Sequence, residues 1–221
     1  MSKLFIIEGI DGSGKSTQVE LLRQRLESAG ESVRRIKLPN YGTPACAPVE
    51  QYLAGAYGGD ADEVNAYAAS AFFAVDRFAY FRTDWQKDYS AGKVVLSDRY
   101  VSSNLIHQCS KLPEDLRGEY IAWLNDFEYE KMGSPKPTAV FYLDVPPLIT
   151  SGLMTGRYEG DEGKKDIHER DGEYLRRCYE MGLYCCEKLG FIRIPCLDEN
   201  GHMRSREAIC EDIFARMQAM M

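Results

Sequence analysis

Nine consecutive residues carry the clearest chemical signal in the chain. Gly9-Ile10-Asp11-Gly12-Ser13-Gly14-Lys15-Ser16-Thr17 fits the spacing G-x-x-x-x-G-K-[ST]. Glycines at these positions let a backbone wrap a phosphate without Cβ clashes, and successive N–H groups then point inward. In such a loop the Lys15 ammonium reaches the β- and γ-phosphates and the Ser16 hydroxyl ligates Mg²⁺. A helix starting at Lys15 adds the positive end of its dipole. The spacing arises by chance in roughly one chain of this length in a hundred. ATP with Mg²⁺ is therefore the expected ligand, and Gly9, Asp11, Gly12, Ser13, Gly14, Lys15, Ser16 and Thr17 are its expected contacts.

Phosphoryl transfer also needs a group that holds an acceptor in line and cations for the developing charge. Asp98-Arg99-Tyr100 follows a short apolar run and offers a carboxylate and a guanidinium together. Phe73 and Arg77 are four apart, so a helix places them on one face, a ring beside a guanidinium. That pair suits a planar base, and equally a core ring under a surface arginine. The run 156–170 (GRYEGDEGKKDIHER) is the densest in charge. It reads either as a solvated turn or as a lid that brings Arg157, Lys164 or Lys165 to the phosphates.

The elements needed to position these residues follow from the hydrophobic pattern. Strands are predicted at Leu4–Ile7, Ser32–Leu38, Lys93–Ser97, Thr138–Leu143 and Phe191–Ile194. Helices are predicted at Lys15–Ala29, at Val49–Leu53, over Asp62–Ser90, as a pair within Val101–Met132, at Pro146–Gly156, at Asp166–Leu189 and at Arg204–Met217. Strands alternating with helices imply a parallel sheet covered on both faces, with ligands at the carboxyl ends of the strands. The fold class is thus α/β: a phosphate-loop NTPase-type three-layer sandwich, a five-stranded parallel sheet with helices on both faces and a lid at about 153–170. At 221 residues, one domain spanning 1–221 is expected.

Composition narrows the partners. Lys and Arg number 27 against 34 Asp and Glu, a net charge of −7, which argues against broad binding to nucleic acid or anionic membrane. No apolar run approaches the ~18 residues of a membrane span. Seven cysteines form no CxxC pair and no secretion signal precedes them, so reduced thiols and a cytoplasmic location are expected. The three histidines show no metal-ligand spacing.

Several strings together resemble the thymidylate kinase family over nearly the whole chain. IEGIDGSGKSTQ is similar to its phosphate loop, DRYVSSN to its Asp-Arg-Tyr motif, FFAVDR to its base-binding helix and FYLDVPP to its fourth strand; KDIHERDGEYL resembles the region after its lid. The resemblance implies phosphoryl transfer from Mg-ATP to dTMP. It implies that Asp11 accepts from the sugar 3′-hydroxyl, Phe73 stacks thymine, Arg77 and Gln108 contact the base, Arg99 holds the monophosphate and Asp98 helps place Mg²⁺. His107 stands where many members carry Tyr or Phe under the sugar. Tyr41 lies in a loop where many carry an arginine, and offers a hydroxyl. Members with no arginine in the phosphate loop take the catalytic one from the lid, where the candidates are Arg157, Lys164 and Lys165; Arg157 comes first because a guanidinium can contact two phosphate oxygens at once. A homodimer packed through helices is also implied; the Ala- and aromatic-rich run Tyr67–Phe81 suits such a surface and core packing equally. Two other readings remain: another nucleoside or nucleoside-monophosphate kinase on this fold, or a nucleotide-binding protein without turnover. Lys15, Ser16, Asp98 and Arg99 together speak against the last.

Overall fold

The computed structural model describes residues 2–150, 168 and 171–221. Five strands form one parallel sheet: β1 (Lys3–Glu8), β2 (Val33–Lys37), β3 (Val94–Asp98), β4 (Ala139–Asp144) and β5 (Ile192–Pro195), in the order β2-β3-β1-β4-β5. The expected α/β sheet and its five strands are present, with each strand end shifted by one residue.

The sequences of β1, β3 and β4 read as near-continuous apolar runs because both faces are covered, while the edge strands β2 and β5 carry exposed Arg35, Lys37 and Arg193. In β1, Leu4 and Ile6 face one layer while Phe5 and Ile7 face the other. The second layer is closed by α1 (Lys15–Ser28), through Val19, Leu22 and Leu26, and by the last helix. The remaining helices are α2 (Ala47–Leu53), α3 (Ala66–Tyr80), α4 (Gln86–Ser90), α5 (Ser102–His107), α6 (Glu114–Asn125), α7 (Gly172–Lys188) and α8 (Arg206–Gln218).

The helix expected over Asp62–Ser90 is shorter and is interrupted. It begins at Ala66 because the Asn65 side chain accepts the Ala68 N–H, which caps an otherwise unpaired donor. A π turn at Phe81–Trp85 then joins α3 to α4. There the Phe81 and Trp85 rings pack 4.5 Å apart in the core, and Tyr89 extends the row. Helical turns after Pro146 are described only as far as Thr150, and α7 starts at Gly172, with Asp171 accepting from the Tyr174 N–H. The expected helix ends at Gly156 and Asp166 and the whole 153–170 lid, His168 excepted, lie outside the described residues. All seven cysteines are free thiols, six of them buried.

α7 packs on the sheet at one very close approach. A Cβ at Gly182 would sit 2.2 Å from the Tyr142 ring, which is itself fully buried. Gly182→Ala should therefore destabilise the protein by about 1–3 kcal/mol through overpacking. Gly118, in α6, is exposed, and a methyl group placed on it would meet nothing within 4 Å. Gly118→Ala should stabilise by about 0.5–1 kcal/mol from helix propensity alone. Thermal unfolding of the two variants should move in opposite directions; a Gly182→Ala protein as stable as the parent would contradict this packing.

Candidate active site

β1 and β3 are neighbours, so the turns at their carboxyl ends are neighbours too. The first is the glycine loop. Gly9 has φ +151°, and a Cβ there would lie 2.5 Å from Ser13 Oγ and 3.1 Å from the Leu143 carbonyl oxygen. Gly14, at φ +90°, delivers the chain into α1. That helix has no side-chain cap and no acid in its first turn, whereas α3, α7 and α8 are capped by Asn65, Asp171 and Ser205. Its first N–H groups and its dipole are left to an anion. Lys15 is buried and donates to the carbonyls of Gly9 and Ile10, each at 2.9 Å.

The second turn follows β3. Arg99 is the one non-glycine residue at positive φ among those described, +69°. Three interactions hold it there: its N–H donates to Ile7 O at 3.3 Å, its carbonyl accepts from Ser97, and the next turn is clamped by Glu8. Glu8 is fully buried and accepts from the Tyr100 N–H and from the hydroxyls of Ser102 and Ser103 at 2.7 and 2.8 Å. Burial pushes the Glu8 carboxyl up; Arg99 and the two serines oppose that shift.

The two turns are joined by charge. The Arg99 guanidinium bonds the Asp11 carboxylate, and Lys15 Nζ lies 3.8 Å from the same oxygen. Burial alone would raise the Asp11 carboxyl, but Arg99 and Lys15 outweigh it and hold it far below the usual carboxylate range. Ser16 Oγ donates to Asp98. A hydroxyl and a carboxylate side by side are hard oxygen donors of the kind that Mg²⁺ takes alongside phosphate oxygens and water.

A cavity of about 660 Å³ opens between these turns, α3 and α5, large enough for a nucleotide-sized ligand. Asp11, Gly12, Gly14, Lys15, Ser16 and Thr17 line its loop side, and Asp98, Arg99, His107 and Gln108 its β3–α5 side. Phe73, Arg77 and Tyr41 line it as well. Gly9 and Ser13 shape the loop from outside the lining. Arg157 lies outside the described residues.

Arg77 differs from a surface arginine over a core ring. It is 3% exposed while Phe73 is half-buried. Its Nε donates to Glu128 Oε1 at 3.0 Å and its Nη1 to the Tyr100 carbonyl at 3.4 Å, so the fork is fixed before any base arrives. Nothing local in the sequence marks Glu128, which lies 51 residues from Arg77. Of two amides at α5, the sequence reading reaches only Gln108. Both polar atoms of the Gln108 side chain, and Nδ2 of Asn104 one turn earlier, are buried without a hydrogen-bond partner among the described residues. Both residues line the cavity. The i, i+4 spacing of the two amides is the available signal for Asn104.

His107 and His168 form a stacked pair, ring centroids 5.8 Å apart and planes within 7°. Arg99 Nη1 lies 3.0 Å from His107 Nε2; a guanidinium can only donate, so Nε2 accepts and the proton sits on Nδ1, facing Cys178 Sγ at 3.5 Å. His168 Nε2 is 2.8 Å from the Tyr52 hydroxyl, which also accepts from Lys111. Burial, then the neighbouring Arg99, hold His107 neutral; burial, then Lys111, push His168 down to about 3.

The fold and cavity define a phosphate-loop phosphotransferase of the nucleotide-kinase kind, with one phosphate cradle facing a second, aromatic-walled pocket. The family model described as thymidylate kinase matches residues 7–195. The thymidylate kinase of Mycobacterium tuberculosis strain CDC 1551 / Oshkosh is 36% identical over 176 residues, 79% of this chain and 81% of that one. That of Fervidobacterium nodosum is 31% identical over 177 residues, 78% and 80% of the two chains, and the probable thymidylate kinase of Thermococcus gammatolerans is 31% identical over 196 residues, 88% of each. The chain belongs to the thymidylate kinase family.

The histidines give the site a pH signature. An unfolded histidine takes up a proton near pH 6.5, while His168 stays neutral in the fold to about 3. The unfolded state binds more protons between those limits, so stability falls as pH falls through that window. From pH 7 to pH 5 this residue should cost about 2 kcal/mol of stability. Urea unfolding at the two pH values should show His168→Gln losing that much less than the parent; identical losses would contradict a buried neutral His168.

Proposed function

We propose that this cavity holds Mg-ATP on the glycine loop and dTMP between Phe73, Arg77 and Arg99. The observation that carries the reading is the Asp11–Arg99 contact, which brings the donor loop and the acceptor pocket to one point. As a member of its family the protein is a nucleoside-monophosphate kinase that transfers a phosphoryl group from ATP to dTMP, giving ADP and dTDP.

The roles follow from geometry and charge. Backbone N–H groups of residues 12–17 and the Lys15 ammonium take the donor phosphates. Ser16 and Asp98 hold Mg²⁺, which when bound neutralises charge on those phosphates. Arg99 takes the acceptor phosphate; a guanidinium contacts two oxygens at once and so fixes its direction as well as its distance. Asp11 is unprotonated at every physiological pH and accepts from the sugar 3′-hydroxyl while keeping Arg99 in place. Phe73 stacks the thymine, and Arg77, Asn104 and Gln108 face its polar edge. The buried, unpartnered amides support that placement, because such groups cost free energy until a ligand pairs them. His107 lies beneath the sugar and Tyr41 at the pocket mouth. The sequence offers Arg157, Lys164 and Lys165 as further cations for the transferring group.

A homodimer through α3 is part of this reading. Val75 and Phe78, three apart on that helix, are 47% and 40% exposed, an apolar stripe of the kind that a second copy covers. Sedimentation of the full chain tests it, and a monomer mass at micromolar concentration would remove it.

Kinetics with ATP and a panel of monophosphates test the site. Lys15→Ala should abolish dTMP phosphorylation. Phe73→Ala should raise KM for dTMP far more than for ATP, since base stacking on an aromatic is worth ~1–3 kcal/mol. The triple change of Arg157, Lys164 and Lys165 to Ala should lower kcat about tenfold or more, ~1.4 kcal/mol of barrier. A Phe73→Ala enzyme with both KM values raised equally would make the ring a core residue and move the base elsewhere. A triple variant with the parent kcat would send the search for the cation to Arg77, Arg99 and Arg170.

A further inference from the structure

Among the described residues four cations line the cavity, and three of them are committed to protein partners. Lys15 donates to loop carbonyls, Arg77 to Glu128, and Arg99 to Asp11 and His107. The fourth is Lys37, the last residue of β2. It is exposed, and among the described residues it takes part in no hydrogen bond or ion pair.

Its position is set by the sheet. Lys37 is the register partner of Asp98 on β3. In-register residues on adjacent strands project to the same face, with the strands about 4.8 Å apart. Ile36 and Leu38 point into the opposite core layer, so Lys37 stands on the α1 side. Two residues earlier on that side, Arg35 pairs with Glu20 of α1 at 2.9 Å. α1 returns antiparallel to the strands. Moving two residues up β2, about 6.6 Å, therefore moves about one helical turn back along α1, from Glu20 to Ser16 and Thr17. Both of these line the cavity beside Lys37. The register thus brings Lys37 to the Ser16–Asp98 side of the cavity, which it lines together with both.

We propose that Lys37 contacts a non-bridging oxygen of the terminal phosphate of ATP, as a second ammonium opposite Lys15. The assignment rests on the phosphate-loop reading of Gly9–Thr17. An unpaired ammonium on a flexible stem, beside a loop built for phosphate and within reach of its far end, is a group whose charge the fold leaves for a ligand. Its counter-charge appears only when a triphosphate is bound, because a diphosphate held on the same loop lacks the terminal phosphate.

That difference supplies the test. Calorimetric titration of the full chain with Mg-ATP and with Mg-ADP, without acceptor, compares the parent with Lys37→Ala and Lys37→Arg. Lys37→Ala should weaken ATP binding about tenfold or more while ADP binding changes less than threefold, the size expected for one charge-assisted contact. Lys37→Arg, which keeps the charge, should bind ATP within about threefold of the parent. Equal losses for ATP and ADP, or no loss for either, would overturn the proposal. A parent protein that binds neither nucleotide would instead overturn the phosphate-loop reading, and the proposal with it. The residue is exposed, so the thermal midpoint without nucleotide should not move; a fall comparable to a core deletion would assign Lys37 a structural role.

Discussion

The pairing of Asp11 with Arg99 is the constraint on which the site is organised. One residue belongs to the loop after β1 and the other to the turn after β3, and the strand order makes those strands neighbours. The pair lies largely out of water, where a charge without its partner is costly. Each turn is therefore held in the shape that serves the other. Arg99 can occupy its left-handed conformation because Glu8, at the end of β1, takes three hydrogen bonds from the turn that follows it. The same Asp11 oxygen lies near Lys15, so one carboxylate balances two cations at the boundary between the donor loop and the acceptor pocket.

Around this pair the protein keeps its other ionisable groups from competing. His107 is within hydrogen-bond distance of Arg99 yet stays neutral, so it accepts from the guanidinium and does not repel it. Arg77 is neutralised in advance by Glu128, at the bottom of the pocket, and keeps its planar fork oriented. Behind the histidines, Tyr52 and Lys111 continue the polar chain toward α2 and the segment leading into α3, with Lys111 donating to the Val64 carbonyl at 3.0 Å. A pocket assembled from pre-paired charges needs little rearrangement when an anionic ligand enters, which is the condition for electrostatic stabilisation of a transferring phosphoryl group.

Much of this is legible in the residues. The glycine loop is local, with all its chemistry in nine positions, and the Asp98-Arg99 turn is recognisable because it follows an apolar strand. The three inner strands are short apolar runs, which is what a parallel sheet buried on both faces demands, and Gly and Pro punctuate all five. What escapes is set by distance in sequence. Glu8 reads as a strand-end carboxylate, but its partners are about 95 residues away. Glu128 and Arg77 are likewise joined only by the packing of separate helices. The stacking of His107 on His168 depends on how two distant segments meet, and no spacing rule encodes it. Helix limits fail for a different reason: the Gly- and Pro-free run 62–90 hides the Asn65 cap and the π turn, which are local events inside a permissive sequence.

The claim that Asp11 and Arg99 act as one unit is open to a direct measurement. A double-mutant cycle of Asp11→Ala and Arg99→Ala, read as kcat/KM for dTMP, separates joint from independent action. If each residue serves by holding the other, the double variant will be no worse than the worse single variant, and the coupling will exceed about tenfold, ~1.4 kcal/mol. Losses that multiply to within about twofold would show two independent contacts and contradict the account.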